Sequence, residues 1–209
     1  MLRDSTSTAQ HYATGAMQIV NLTPAKVQGM RSPKRGLWTL VVMVAFLSGM
    51  RAQSPTAGEY QIKAAFLFNF AKFVEWPSSS FSDASAAMRI CVLGQDPFGE
   101  ELQNITREKI VNGRKLEVSN VIDLQQARKC QILFISPSEK KQMKQVITSL
   151  AGTSVLTVGE SEGFAEQGGM INFVLEKSRV QFEVNRKVAE HAGLKISSKL
   201  LAVAKFVLA

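Results

Sequence analysis

GGMINFVLEKSRVQFEVNRKVAEHAGLKISSKLL, residues 168–201, is the stretch whose reading decides the fold. Met170, Asn172 and Val174 alternate with Ile171, Phe173 and Leu175, Lys177 and Ser178 mark a turn, and Val180, Phe182 and Val184 then alternate with Gln181, Glu183 and Asn185. A period of two on either side of a polar pair is the pattern of a β-hairpin. Its second strand has one apolar face and one polar face. Asn185 stands where an N-cap belongs, ahead of a short helix over 186–192, and Gly193 supplies a left-handed terminator. Ser197 or Ser198 opens a last helix predicted to carry Leu200, Leu201, Ala204, Val207 and Leu208 as one apolar stripe.

Upstream of this block the strands change character. MRICVL (88–93), QILFI (131–135) and SVLTV (154–158) are continuous apolar runs, each followed by turn or helix signals. Short helices are predicted at 100–106 and 123–129, the second capped by Asp123, and a longer one from Ser136–Pro137 to about Leu150. Lys109–Val111 and Lys115–Val118 flank the turn pair Asn112–Gly113, an excursion or a further strand. Strands without alternation need cover on both faces. The expected fold class is therefore α/β, a three-layer sandwich: a mainly parallel sheet with helices on both faces and the late hairpin added as an antiparallel edge. EYQIKAAFLFNFAKFVEW (59–76) reads as an apolar helix buried on more than one side, with Ile62, Ala65, Phe66, Phe70, Phe73 and Val74 in its stripe and Pro77 as its stop. Its rings could line a ligand pocket, but closing over a sheet is the better reading of such a stripe.

The N-terminal quarter stands apart. Arg31, Lys34 and Arg35 precede an apolar run from Gly36 to Leu47, and Ala52 precedes a polar linker, which is the pattern of a secretory signal peptide over 30–52. Met50 departs from the small residue preferred near the cut, so an uncleaved anchor is the alternative. A signal peptide works from the N-terminus, so residues 1–29 are read as a non-native extension, and 53–209 as a single domain. The 209 residues carry 25 Lys+Arg against 17 Asp+Glu. Residues 1–52 hold six of those bases (Arg3, Lys26, Arg31, Lys34, Arg35, Arg51) and one acid (Asp4), leaving 19 against 16. A balance this small removes the case for a nucleic-acid partner.

Cys91 and Cys130 are the two cysteines of the chain, and both fall in the exported part. An oxidising compartment favours their pairing, and if strands 88–93 and 131–135 are neighbours the two lie within reach. Catalytic signals are thin. The domain's lone histidine, His191, reads as a surface or capping residue, Ser138 and Lys141 match Ser-x-x-Lys without its companion motifs, and no ligand set has metal spacing. The expectation is no enzyme, no cofactor and no metal.

EYQIKAAFLFNFAKFVEWP (59–77), ICVLGQDPFG (90–99), CQILFIS (130–136), SVLTVGE (154–160) followed by Phe164, and the opening block closely resemble the YfiR/HmsC-like proteins in order and spacing. The resemblance implies a small periplasmic α/β protein of a Gram-negative bacterium. It would restrain a membrane-bound diguanylate cyclase by binding the periplasmic sensor domain, so that less cyclic di-GMP means less biofilm matrix. It also implies a disulfide between Cys91 and Cys130, which sit at matching motif positions. Some relatives carry a second pair within the segment matching 164–173, where this chain has none, so a structural role is favoured over a redox switch. A homodimer and a small-molecule ligand are further expected options, the latter as an alternative sensor module. Glu183, pointing away from the apolar face of its strand, is the first candidate for partner contact, with Asn185, Arg186 and His191 beside it.

Overall fold

The computed structural model describes residues 55–208, so the segments read as an extension and a signal peptide, 1–29 and 30–52, lie outside the described residues. Helix α1 (Pro55–Phe73) is followed by strands β1 (Val74–Glu75) and β2 (Met88–Leu93), then by α2 (Glu101–Thr106) and strands β3 (Ile110–Val111) and β4 (Arg114–Val121). After these come α3 (Leu124–Ala127), β5 (Ile132–Ile135), α4 (Met143–Leu150), β6 (Leu156–Gly159) and the hairpin β7 (Ile171–Glu176) and β8 (Arg179–Asn185). The chain closes with α5 (Arg186–His191), β9 (Lys195–Ile196), α6 (Ser198–Leu201) and β10 (Phe206–Leu208). An eight-stranded sheet runs in the order β10-β8-β7-β6-β5-β2-β4-β3. Only the β7/β8 and β3/β4 pairs are antiparallel, so the expected mainly parallel α/β sandwich is the architecture found.

The two faces of the sheet bury different sets. Ile90, Val92, Phe134, Val158, Phe173 and Phe182 point toward α1, joined by Leu102 of α2, Ala189 of α5 and Leu200 of α6. Cys91, Leu133 and Ile135 point the other way and meet Ala127 of α3, the α4 residues Met143, Val146, Ile147 and Leu150, and Phe164. This division is why β2 and β5 have to be apolar at every position but one: each is covered on both sides.

Several boundaries depart from the sequence reading for physical reasons. α1 begins at Pro55, inside the expected linker, because proline suits the first helical turn. It ends at Phe73 and not at Trp76, since Val74 and Glu75 leave the helix to pair antiparallel with Ile196 and Lys195. It is not enclosed on several sides: Lys63, Ala64, Leu67, Phe70 and Ala71 are buried, whereas Ile62, placed in the stripe, is 48% exposed. The 136–150 helix is split into a 3-10 turn, Pro137–Glu139, and α4. The excursion around Asn112–Gly113 is a full strand, β4, lying parallel to β2.

The largest departure is at the C-terminal end. The expected last helix is a single turn, and Phe206–Leu208 forms β10 instead, parallel to β8 with Phe206 opposite Glu183. A stripe of Leu, Val and Phe satisfies either period over so few residues, and the unpaired edge of β8 selects the strand. The hairpin is thus not the edge of the sheet. Its turn, its cap and its terminator do match: Lys177 and Ser178 both have positive φ, Val188 N–H donates to Asn185 Oδ1 at 3.1 Å, and Gly193 has φ 76°.

Phe164 is the plug of the second layer. Its ring occupies the space where a Cβ on Gly159 would stand, and a Cβ on Gly169 would lie 2.7 Å from the Phe164 carbonyl oxygen. Because the opposing atom is backbone, relaxation cannot relieve the clash cheaply. Gly169→Ala is therefore expected to cost about 1–3 kcal/mol, read as a lower urea midpoint at unchanged m-value. A midpoint equal to the parent's would show that the 161–168 loop is free to move.

Candidate functional site

In doubly wound sheets the ligand crevice lies outside the carboxyl ends of the strands where the strand order reverses. Here the chain passes from β2 to β4 on one side and returns to β5 on the other, so the reversal lies between β2 and β5. That position is filled by the protein itself. Gln95 N–H donates to Ser138 Oγ at 2.9 Å, and Gly94, with φ 90°, leaves the only room for Ser138 and Glu139. Ser138 is therefore a loop clasp, matching its reading as a helix start.

Beside this closed crevice is a buried charged knot that the sequence reading passed over. Lys63, 4% exposed, sits on the inner face of α1 and its Nζ contacts both Glu59, one turn earlier, and Glu160, just past β6. Glu160 is 8% exposed and its other oxygen accepts the Tyr60 hydroxyl at 2.8 Å. The Lys63 ammonium also lies 4.5 Å from the centre of the Tyr60 ring, which in turn packs edge-on against Phe98. Burial first, then the hydrogen bond to Glu160 and the charges of Glu160 and Glu59, hold the Tyr60 phenol protonated far above its ordinary range. The knot fastens α1 to the end of β6. A Glu-x-x-x-Lys pair at the entry to an apolar helix was the legible half of this signal.

The aromatic rings of α1 are engaged in packing. Phe66 and Phe70 meet Phe173 and Phe182 with centroids 5.2–6.0 Å apart, and the Phe70 side chain is fully enclosed.

On the second face a different feature arises. The crossover from β4 to β5 contains only the single turn α3, too short to cover the length of β4. It leaves a groove of about 540 Å³ lined by Arg89, Glu117, Ser119 and Lys129, with Cys91 and Cys130 in its floor. The two cysteines form a disulfide, Cα to Cα 6.1 Å, tying β2 to the start of β5. Arg89 Nε and Glu117 Oε2 are 3.6 Å apart across the groove, both half exposed, a contact of small energetic weight.

The residues proposed for partner contact do not gather at one place. Because Phe173 and Phe182 face α1, their neighbours Asn172 and Glu183 face the opposite side, where the pairing places Asn172, Glu183 and Phe206 in one transverse row. On this face β7 and β8 carry Asn172, which is buried, and Val174, Gln181 and Glu183, which are half-buried, and none of them belongs to the apolar cluster that α4 completes. Glu183 is half-buried there and Phe206 is 58% exposed. Asn185 uses both ends of its amide, accepting from Val188 and donating to the Ala165 carbonyl at 3.0 Å, so it holds α5 and the 161–168 loop in register. Arg186 donates to Glu190 at 2.7 Å on the exposed side of α5. His191 lies at the other end of α5 and borders a separate depression of about 300 Å³ with Ile147, Thr157 and Met170.

Comparison with known proteins places this scaffold. Distant likenesses among solved structures include an ABC domain in complex with L-Trp from Streptococcus pneumonia (12% identity, TM-score 0.48, covering 71% of this chain and 60% of that one) and a conserved domain protein from Vibrio cholerae O1 biovar El Tor (13%, TM-score 0.44, 57% and 54%). The chain therefore spans less than two thirds of either. Among the described residues no helix is long and apolar enough to cross a membrane. The family model described as YfiR/HmsC-like matches residues 60–205, a span that takes in the Lys63 knot, the disulfide, the hairpin and α6, and on that match the chain belongs to the YfiR/HmsC-like family.

Proposed function

We propose that the protein is a periplasmic regulator that binds the periplasmic sensor domain of an inner-membrane diguanylate cyclase and inhibits it, lowering cyclic di-GMP and biofilm formation. Family membership over residues 60–205 is the observation that carries this reading. The scaffold suits work by contact. α1, the knot and the disulfide stiffen a sheet whose β8 and β10 strands carry the half-buried Glu183 and the exposed Phe206, with Arg186 at the start of α5 and His191 at its far end. At the strand reversal, where an α/β protein would ordinarily hold a small substrate, Ser138 and Glu139 occupy the space.

Deleting the gene is expected to raise cellular cyclic di-GMP and biofilm mass in a strain that expresses the cyclase, and the purified protein is expected to bind the isolated sensor domain. Unchanged cyclic di-GMP in that strain would sink the proposal. Saturable thermal stabilisation by a metabolite, without affinity for the sensor domain, would replace it by the sensor-module reading.

A further inference from the structure

We infer that the outer edge of β4 is a docking site at which a polypeptide partner adds an extended segment as an antiparallel strand, in the lane that β3 begins. The existence of that partner rests on the regulatory reading above; the open edge does not. β4 pairs with β2 from Leu116 to Val121, but on its other side β3 meets only Arg114 and Lys115. Leu116 N–H donates outward to the Lys109 carbonyl at 3.2 Å. The chain then leaves the edge at Glu108, which stands in the left-handed region with φ 59°. Backbone groups alternate in direction along a strand, so Val118 and Asn120 aim their N–H and C=O the same way as Leu116. Among the described residues these four groups meet no hydrogen-bond partner. Ser119, Asn120 and Ile122 are exposed, so the stretch is open to solvent. Native edges are commonly blunted by lysine, proline or a bulge. Val118, Ser119, Asn120 and Val121 include neither residue, and their register with β2 is unbroken.

Geometry selects the occupant. The free lane beside Val118 to Val121 is about 13 Å long, room for four residues of a separate segment. A second copy fits it badly. The two-fold axis that opposes Val118 to Asn120 in both directions sets Val121 of each copy one strand step, about 3.3 Å, from the Lys109 backbone of the other, closer than unbonded chains approach. A partner segment has no such neighbour and can enter opposite Val118 and leave past Val121. The direction follows β3, which already lies antiparallel in the same lane. The two faces of β4 then set the side chains. Val118 is a half-buried member of the apolar layer under α1, as is Ile105 of α2, so the incoming residues on that face are apolar. Ser119 lines the groove on the other face between charges of both signs, Arg89, Glu117 and Lys129, where an uncharged hydroxyl residue pairs best. Main-chain bonds supply the attachment and this alternation supplies the selectivity.

The test follows backbone amide exchange by NMR on the full chain. Without any addition, the Val118 and Asn120 amides are expected to exchange fast while Glu117, Ser119 and Val121, bonded to β2, exchange slowly. The probe is the tetrapeptide acetyl-Thr-Val-Thr-Val-amide, whose valines oppose Asn120 and Val118. It is expected to protect those two amides saturably, and N-methylation of both valines is expected to abolish the effect. Asn120→Pro removes one outward N–H at a position where an edge strand tolerates proline, so its circular dichroism spectrum is expected to match the parent's while binding of the probe, and of the isolated sensor domain, falls at least about tenfold. Slow exchange of Val118 and Asn120 in the unliganded chain would overturn the inference, assigning the lane to a second copy if the protection grows with protein concentration and to another segment of this chain if it does not. No saturable protection at about 50 mM probe, or equal protection by the N-methylated peptide, would overturn it as well. Because the probe needs no cyclase, strand addition in a protein whose deletion leaves cyclic di-GMP unchanged would keep the edge and remove the cyclase. Sensor-domain binding that Asn120→Pro leaves at full strength would remove the edge and keep the cyclase.

Discussion

Lys63→Met is expected to destabilise the domain by about 3–5 kcal/mol. The reason lies in what remains. Lys63 and Glu160 are almost fully enclosed, and removing the ammonium leaves the Glu160 carboxylate desolvated with only the Tyr60 hydroxyl to stabilise it. Methionine has the right length and no charge, so packing along α1 is preserved and the loss is electrostatic. The companion Glu160→Gln change removes the stranded charge while keeping an oxygen for Tyr60, and the Lys63→Met/Glu160→Gln pair is expected to regain most of the loss. Glu59, the more exposed of the two carboxylates, can turn to water. Urea titration of the four proteins of this cycle measures the coupling directly. A single variant within about 1 kcal/mol of the parent, or a double variant no better than the single, would show that the knot is not held by the charge pairing.

The second large effect concerns Cys91 and Cys130. Closing a loop with a sequence separation of 39 contributes roughly 4 kcal/mol in the chain-entropy account. Cys91→Ser and Cys130→Ser are each expected to lose about 2–4 kcal/mol, and the double variant no more than either alone, since one bond is broken in every case. Both sulfurs lie in the core on the α4 side, so the corresponding alanine variants separate loss of the bond from burial of a new hydroxyl. A reductant should lower the melting temperature of the parent and leave the double variant unmoved. Additive losses would mean that the two side chains act independently.

Much of this fold was written in local pattern. The apolar runs of β2, β5 and β6 show double cover because their side chains lack alternation, and Asp123, Asn185 and Gly193 punctuate helices by chemistry that acts within three or four residues. What escaped needed partners distant along the chain. Glu59 is visible from Lys63 as a helical neighbour, but Glu160 is 97 residues away, and nothing short of the fold shows that a lysine on α1 ends beside it. β10 escaped for the same reason: whether Phe206–Leu208 extends or coils is decided by the free edge of β8. The candidate site divides along the same line. That Glu183 faces away from Phe182 follows from strand alternation, whereas Asn172 and Phe206 become its neighbours only through register, which is a property of strand pairs.

The pairing of Val74 and Glu75 with Ile196 and Lys195 bears on how the chain reaches this state. Phe73 accepts a hydrogen bond from Ser197 N–H at 2.9 Å, so the end of the first helix is completed by residues near the opposite terminus. A loop of more than a hundred residues has to close before that junction can form, and the entropy of such closure is met before its contacts return anything. A nascent chain that has not yet reached Ser197 lacks one half of it. The domain is thus expected to fold late and as one cooperative unit, with α1 and the C-terminal segment acquiring hydrogen-exchange protection together and unfolding in a single kinetic phase.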